Sequence, residues 1–233
     1  MKTLDLYASI EGYLDFDEEV EYLYKTILEI VIKKKPNTLI DIGCGQGDFC
    51  DILNLNGIKT LGTDLSQTQI DIAKNKGIDA ICKDIKDIEG NFDCATAVFD
   101  VINYIPYDDI ENFLKNSYNL INKDGYLIFD INSLYGFEEV AQGTLVVDAE
   151  DKFIAIDANF NENVLYTDMT VFDKLNSNYK KSSGTIEQYF YDNEKLTKVL
   201  EKVGFVIEDI VKLNLHSKNN NDKYIFICKK DNR

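Results

Sequence analysis

Three acids and three glycines carry the chemistry that can be read from this chain. In Leu39-Ile40-Asp41-Ile42-Gly43-Cys44-Gly45-Gln46-Gly47 an apolar run ends in a carboxylate, Asp41, and enters a turn. Gly43, Gly45 and Gly47 let backbone come close to a ligand there, because no Cβ intervenes. Asp41 suits a ligand with an ammonium or a sulfonium, whose charge a carboxylate stabilises directly or through water. In Leu61-Gly62-Thr63-Asp64-Leu65-Ser66 a second acid closes a second run, and the oxygens of Asp64 can accept hydrogen bonds from both hydroxyls of a ribose. Cys82-Lys83-Asp84-Ile85 follows a third run; Asp84 can receive an adenine amino group while Ile85 lies against the ring. S-adenosylmethionine combines an adenosine with an ammonium and a sulfonium.

Each signal has a plainer reading. Dinucleotide enzymes place G-x-G-x-x-G at the same turn and share the acid at the end of the second strand. Here the spacing is G-x-G-x-G, and Asp48 stands where the last glycine would be, an anion that would repel a pyrophosphate. Asp64 could instead cap a helix, with Gln67 three residues on and Ser66 as a competing cap. Asp84 could belong to an ordinary turn.

The elements that must position these residues alternate strand with helix. Apolar residues Val20, Leu23, Tyr24, Ile27, Leu28, Val31 and Ile32 recur at three and four, predicting an amphipathic helix over 17–35 that ends at Pro36, with Lys33, Lys34 and Lys35 at its C-terminus. Strands are expected at 38–42, 59–62, 80–82, 94–99 and 126–131, and helices at 48–55, 67–75 and 108–121, with a Lys123-Asp124-Gly125 turn before the fifth strand; this rhythm implies a parallel sheet. An insertion begins near Tyr135. Residues 153–160 and 164–172 alternate around Asn161-Glu162-Asn163 as an antiparallel hairpin, with 185–190 a third strand. A helix over 193–203 stops at Gly204, and strands at 205–213 and 224–228 flank the polar stretch 217–223, whose residues 219–222 read as a mobile tip.

Composition narrows the classes of function. With 45% hydrophobic residues the 233-residue chain can bury a core, and 41 acids against 25 bases give a formal charge of −16 that repels nucleic acids and anionic membranes. The five cysteines form no C-x-x-C pair and the single histidine no cluster, so neither zinc site nor disulfide framework is indicated and a reducing cytoplasm fits. The segment 1–10 reads as neither signal peptide nor anchor. Asp100, Asn103, Asp130 and Asn132 fall at predicted strand ends on the ligand side of such a sheet, where they could hold an acceptor. If the acceptor is an amine, Asp100 and Asp130 would hold its cation. His216, the single histidine, is a candidate catalytic or substrate-site residue because histidine is the common acid–base side chain near neutral pH, or a plain loop residue.

Taken in order, Asp-Ile-Gly-Cys-Gly-Gln-Gly at 41–47, Asp64 and Asp84-Ile85 resemble the successive motifs of class I S-adenosylmethionine-dependent methyltransferases. The resemblance continues through 92–105 and 127–133, which look like a bacterial branch acting on small molecules, and it covers nearly the whole chain. It implies an α/β, Rossmann-like fold with a seven-stranded, mostly parallel sheet whose last strand is antiparallel, and an added antiparallel β layer. Residues 37–134 and 191–233 would form the cofactor-binding core, 135–190 the layer over the substrate pocket, and 1–36 a helical segment closing the cofactor site. Asp41, Gly43, Cys44, Gly45, Gly47, Asp64, Leu65, Asp84, Ile85 and Phe99 would line the cofactor, Phe99 beside its methionine portion. Tyr7 and Tyr13 would help close the site. The implied partner is a small-molecule acceptor methylated on nitrogen or oxygen, with no nucleic acid, membrane or metal involved. Alternatives are a silent cofactor-binding regulator and a nicotinamide-dependent oxidoreductase. A base-modifying enzyme is disfavoured because 98–101 reads Val-Phe-Asp-Val rather than an Asn-Pro-Pro-Tyr-like tetrapeptide.

Overall fold

The computed structural model describes residues 3–216 and 218–231. Two helices come first, α1 (Thr3–Ala8) and α2 (Asp17–Lys34). Leu23, Ile27 and Val31 form the buried stripe of α2; Lys35 turns left-handed at φ 54° just before Pro36, and Lys33 and Lys34 occupy the last turn as expected.

The core then runs β1 (Thr38–Ile42), α3 (Asp48–Leu55), β2 (Lys59–Asp64), α4 (Gln67–Asn75), β3 (Ala80–Cys82), β4 (Phe92–Ala97), α5 (Ile110–Leu120) and β5 (Ile121–Asn132). After an inserted sheet, β6 (Gly143–Asp148), β7 (Lys152–Asn161), β8 (Val164–Leu175) and β9 (Asn178–Tyr189), come α6 (Asn193–Val203), β10 (Phe205–Leu213) and β11 (Lys223–Lys230). The main sheet has seven strands in the order β10-β11-β5-β4-β1-β2-β3; β11 alone runs antiparallel to its neighbours. Neighbouring residues of β1 serve opposite faces. Leu39 packs with Leu23 and Ile27 of α2, whereas Ile40 packs with Leu114 of α5 and Leu200 of α6. Burial on both faces is why these strands read as continuous apolar runs. The order reverses beside β1, so the carboxyl ends of β1 and β4 flank a crevice suited to a ligand.

The inserted sheet has four antiparallel strands in sequence order. Glu162 and Asn163, at φ 50° and 64°, make the tight β7–β8 turn foreseen there. Its inner face brings Ile154, Met169, Val171 and Ile186 against Leu6 and Ile10 of the N-terminal segment. At Gly184 an added Cβ would lie 3.0 Å from the Thr3 side chain, so the glycine admits α1 at close range.

Several expectations change. The Lys123-Asp124-Gly125 turn is an irregularity inside β5, with Asp124 at φ 61° and the register to β4 shifting between Phe92 and Cys94. Strand β6 is an edge strand whose Leu145-Val146-Val147 run lacks alternation, so it gave no signal; β9 starts at Asn178, well before the expected 185. Of the tip expected at 219–222, Asp222 is 2% exposed and accepts the N–H groups of Leu215 and His216, each at 2.8 Å. That buried carboxylate anchors the connection instead. Residue 217 lies outside the described residues. No helix of the described chain is long and apolar enough to cross a membrane.

Candidate active site

At the end of β1 the chain turns sharply. Gly43 has φ 71°, and a Cβ there would lie 2.5 Å from Val101 Cγ2, so only glycine fits between the turn and the segment after β4. Gly47, at φ 81°, is the N-cap of α3. The Gly43 and Cys44 N–H groups donate to the Thr63 carbonyl at 2.7 and 3.0 Å, which ties the glycine turn to β2. Asp64, at the end of β2, accepts the Gly45 N–H on Oδ2 at 3.0 Å and the Ser66 N–H on Oδ1 at 2.8 Å. Each oxygen keeps acceptor capacity after these bonds. The helix-capping alternative falls to Ser66, whose Oγ accepts the Gln69 N–H at the start of α4. Burial pushes the Asp64 carboxyl up, against the pull of its backbone donors.

Asp41 sits below this turn, 2% exposed, accepting from Thr96 Oγ1 at 2.6 Å on Oδ1 and from the Cys50 thiol at 3.6 Å on Oδ2. Burial pushes its carboxyl up to about 7 despite both donors. It links β1, β4 and α3. Cys44 is buried beside Gly62, where an added Cβ would lie 2.7 Å from its sulfur. Leu65 is 54% exposed at the rim. Asp84 caps a short turn, accepting the Lys86 N–H at 3.1 Å and pairing with Lys86 Nζ at 3.2 Å, while Ile85 packs into the core with Ile42 and Ile102. Asp48 pairs with Lys76 at 2.5 Å on the surface. Its charge is therefore partly neutralised, and the repulsion assigned to it is weaker than the spacing alone implied.

The N-terminal segment reaches across the turn. Ser66 Oγ donates to Asp5 at 2.6 Å, and Glu11 Oε2 accepts from Gln69 Nε2 at 2.9 Å and Gln46 Nε2 at 3.4 Å. Gln69 is 6% exposed, and its Oε1 is buried without a hydrogen-bond partner among the described residues. A buried acceptor left open costs about 1–3 kcal/mol unless a ligand completes it. That orphan, the spare capacity of Asp64 and the surrounding acids fit a ligand with hydroxyl donors and positive charge, as S-adenosylmethionine has.

The turn after β4 holds the second group. Phe99 and Asp100 both have positive φ, 67° and 66°. Asp130 in β5 accepts the Phe99 N–H at 2.6 Å and the Asp100 N–H at 3.3 Å, and Lys223 at the start of β11 pairs with Asp130 at 2.9 Å and with Asp100. Burial pulls the Lys223 ammonium's pKa down, but the Asp100 and Asp130 carboxylates outweigh it and hold it above the ordinary value. Asp100 and Asp130 are thus occupied by Lys223, which corrects the reading of this pair as a clamp for a cationic acceptor. Asn103 is also committed: Nδ2 donates to the Tyr189 carbonyl at 2.9 Å and Oδ1 accepts the Asn132 N–H at 3.0 Å. Asn132 itself is 8% exposed. His216 Nδ1 lies 2.8 Å from Asp222 and Nε2 4.0 Å from Glu19 of α2, so its ring serves the connection before β11. Tyr13 is half-buried and donates to Asp151 at the inserted sheet at 2.9 Å. Tyr7 packs with the same sheet beside Tyr104. Burial first, then the charges of nearby acids including Glu11 and Asp100, raise both phenols well above the ordinary value.

Lys223, Glu11, Gln69 and Tyr104 were not foreseen. Only Lys223 left a trace in the sequence, as a lysine directly before the apolar run that forms β11.

An open sheet of this order, a glycine turn after β1, an acid closing β2 and an antiparallel sheet packed over the N-terminal segment define the Rossmann-like fold of class I methyltransferases, whose methyl donor is S-adenosylmethionine. Residues 16–210 match the family model described as a methyltransferase domain. The chain belongs to that family. The methyltransferase-named protein YqeM of Bacillus subtilis (strain 168) is 23% identical over 218 residues, 88% of this chain and 85% of the relative. Among solved structures, an S-adenosylmethionine-dependent methyltransferase from Clostridium acetobutylicum ATCC 824 superposes with a TM-score of 0.78 at 24% identity, covering 99% of this chain and 98% of that one. CalS10 of Micromonospora echinaspora, an amino pentose methyltransferase solved with S-adenosylmethionine bound, gives 0.71 at 14% identity, covering 97% and 96%.

Proposed function

We propose that this methyltransferase acts on the nitrogen or oxygen of a small soluble metabolite, an amine, amino acid or sugar derivative, in the cytoplasm. S-adenosylmethionine supplies a methyl group on a sulfonium, an electrophile with a good leaving group. The chain's own residues hold and orient. Asp64 receives the ribose hydroxyls on the capacity its backbone bonds leave free, and Gly43, Gly45 and Gly47 keep side chains out of the turn. Leu65 and Ile85 flank the adenine, Asp84 takes its amino group, and Phe99 lies beside the methionine portion. Asp41 and Glu11 contribute negative potential. Residues 1–36 close this site, and the sheet from β6 to β9 covers the acceptor pocket. Tyr7 and Tyr104 keep their protons at neutral pH, so they orient an acceptor by donating hydrogen bonds and leave deprotonation to water or to the acceptor's own equilibrium. Positioning then supplies much of the acceleration. The fold shared with an amino pentose methyltransferase supports a sugar or amine acceptor.

The observation that carries this reading is Asp64, held by the Gly45 and Ser66 N–H groups at 3.0 and 2.8 Å. Calorimetric titration with S-adenosylmethionine and, separately, NAD tests it. We expect micromolar binding of S-adenosylmethionine that Asp64→Ala weakens by on the order of tenfold. Binding of NAD in its place would overturn the reading.

A further inference from the structure

We infer that Lys223 is a positioning residue of the donor pocket, fixing the Phe99–Asp100 turn against the glycine turn from a strand on the far side of β5. The inference rests on the donor site proposed above. Burying an ammonium costs several kcal/mol in real proteins, and an apolar side chain would fill such a place more cheaply. Lys223 is nonetheless 5% exposed, with Nζ 2.9 Å from Asp130, paired with Asp100, and 5.5 Å from the centre of the Phe99 ring. Phe99 and Asp100 are consecutive non-glycine residues at φ 67° and 66°. Such backbone persists only where its surroundings over-determine it. Here the backbone N–H groups are held by Asp130 and the Asp100 side chain by Lys223. The next residue, Val101, is the one whose Cγ2 would meet a Cβ on Gly43 at 2.5 Å. A shift of the turn therefore reaches the backbone that approaches the donor.

Three variants separate positioning from simple charge balance, each measured for S-adenosylmethionine affinity by calorimetry and for thermal midpoint: Lys223→Met, Asp100→Asn and the double variant. We expect Lys223→Met to lose roughly tenfold or more in affinity and to unfold at lower temperature. The double variant removes one uncompensated carboxylate and regains midpoint, yet stays as weak as Lys223→Met, while Asp100→Asn alone loses less. Recovery of affinity together with midpoint in the double variant overturns the proposal, as does equal loss in Asp100→Asn. If Lys223→Met does not fold, the double variant carries the same decision. Wild-type protein that fails to bind overturns the donor-site reading and this inference with it. Wild-type binding with Lys223→Met unaffected overturns this inference alone.

Discussion

Asp41 is a carboxyl whose burial is not offset by any ion pair among the described residues. Its oxygens are bonded to a hydroxyl and a thiol, and burial pushes its carboxyl up to about 7. An unfolded carboxyl titrates near 4. Below that value both states are protonated and Asp41 has no effect on stability. Between about 4 and 7 the unfolded chain releases the proton while the folded chain retains it, so stability falls as pH rises through this window and is level above it. Asp41→Asn removes that dependence. The thermal midpoint of the Asn variant relative to wild type should therefore rise between pH 5 and pH 8, each pH unit within the window contributing at most about 1.4 kcal/mol. A difference that does not change with pH would show an ordinary carboxyl at 41. A carboxyl kept at such a cost in stability is common at functional sites, in keeping with the cationic donor proposed above.

Asn103 is one of the polar ties between the inserted sheet and the core, beside the Tyr107 and Tyr13 hydroxyls. It joins the turn after β4 to the Tyr189 carbonyl of β9 and to the Asn132 N–H of β5. Asn103→Ala leaves a carbonyl and an amide without partners, at about 1–3 kcal/mol each. For a domain of this size that lowers the thermal midpoint by roughly 4–24 °C. An unchanged midpoint would mean the inserted sheet is held without Asn103, by its apolar contacts, chiefly Leu6 and Ile10 against Met169, Val171 and Ile186, and by the Tyr107 and Tyr13 hydroxyls. The N-terminal segment thus has two duties, filling the inner face of the sheet and placing Asp5 and Glu11 over Ser66, Gln46 and Gln69.

Over the whole molecule the charge of −16 sets the long-range field. Such a field slows the approach of polyanions and offers no counterion release on binding them. We expect no mobility shift of labelled duplex DNA or structured RNA at about 10 μM protein in about 0.15 M salt, conditions in which nonspecific binders are readily seen. A shift would reveal a local basic surface and reopen a macromolecular acceptor.

The sequence by itself determined the alternating core, the glycine turn and the place of Asp64, because each is written within a few residues: an apolar run, the acid that ends it and the glycines after it. The β7–β8 turn was legible for the same reason, since Glu162-Asn163 must adopt left-handed backbone where two alternating strands meet. What Asp100, Asp130 and Asn103 do was decided only in the tertiary structure. Asp100 and Lys223 are 123 positions apart, and they meet because β11 enters the sheet beside β5 in reverse, bringing its first residue to the carboxyl end of the parallel strands. The sheet pairings that put them there are non-local, and no periodicity in either segment encodes which strand will be the neighbour. Tyr13 was drawn to Asp151, 138 positions away, for the same reason, whereas His216 finds Asp222 six positions on within one connection. A residue's type states what it can bond, and the strand order states what it finds.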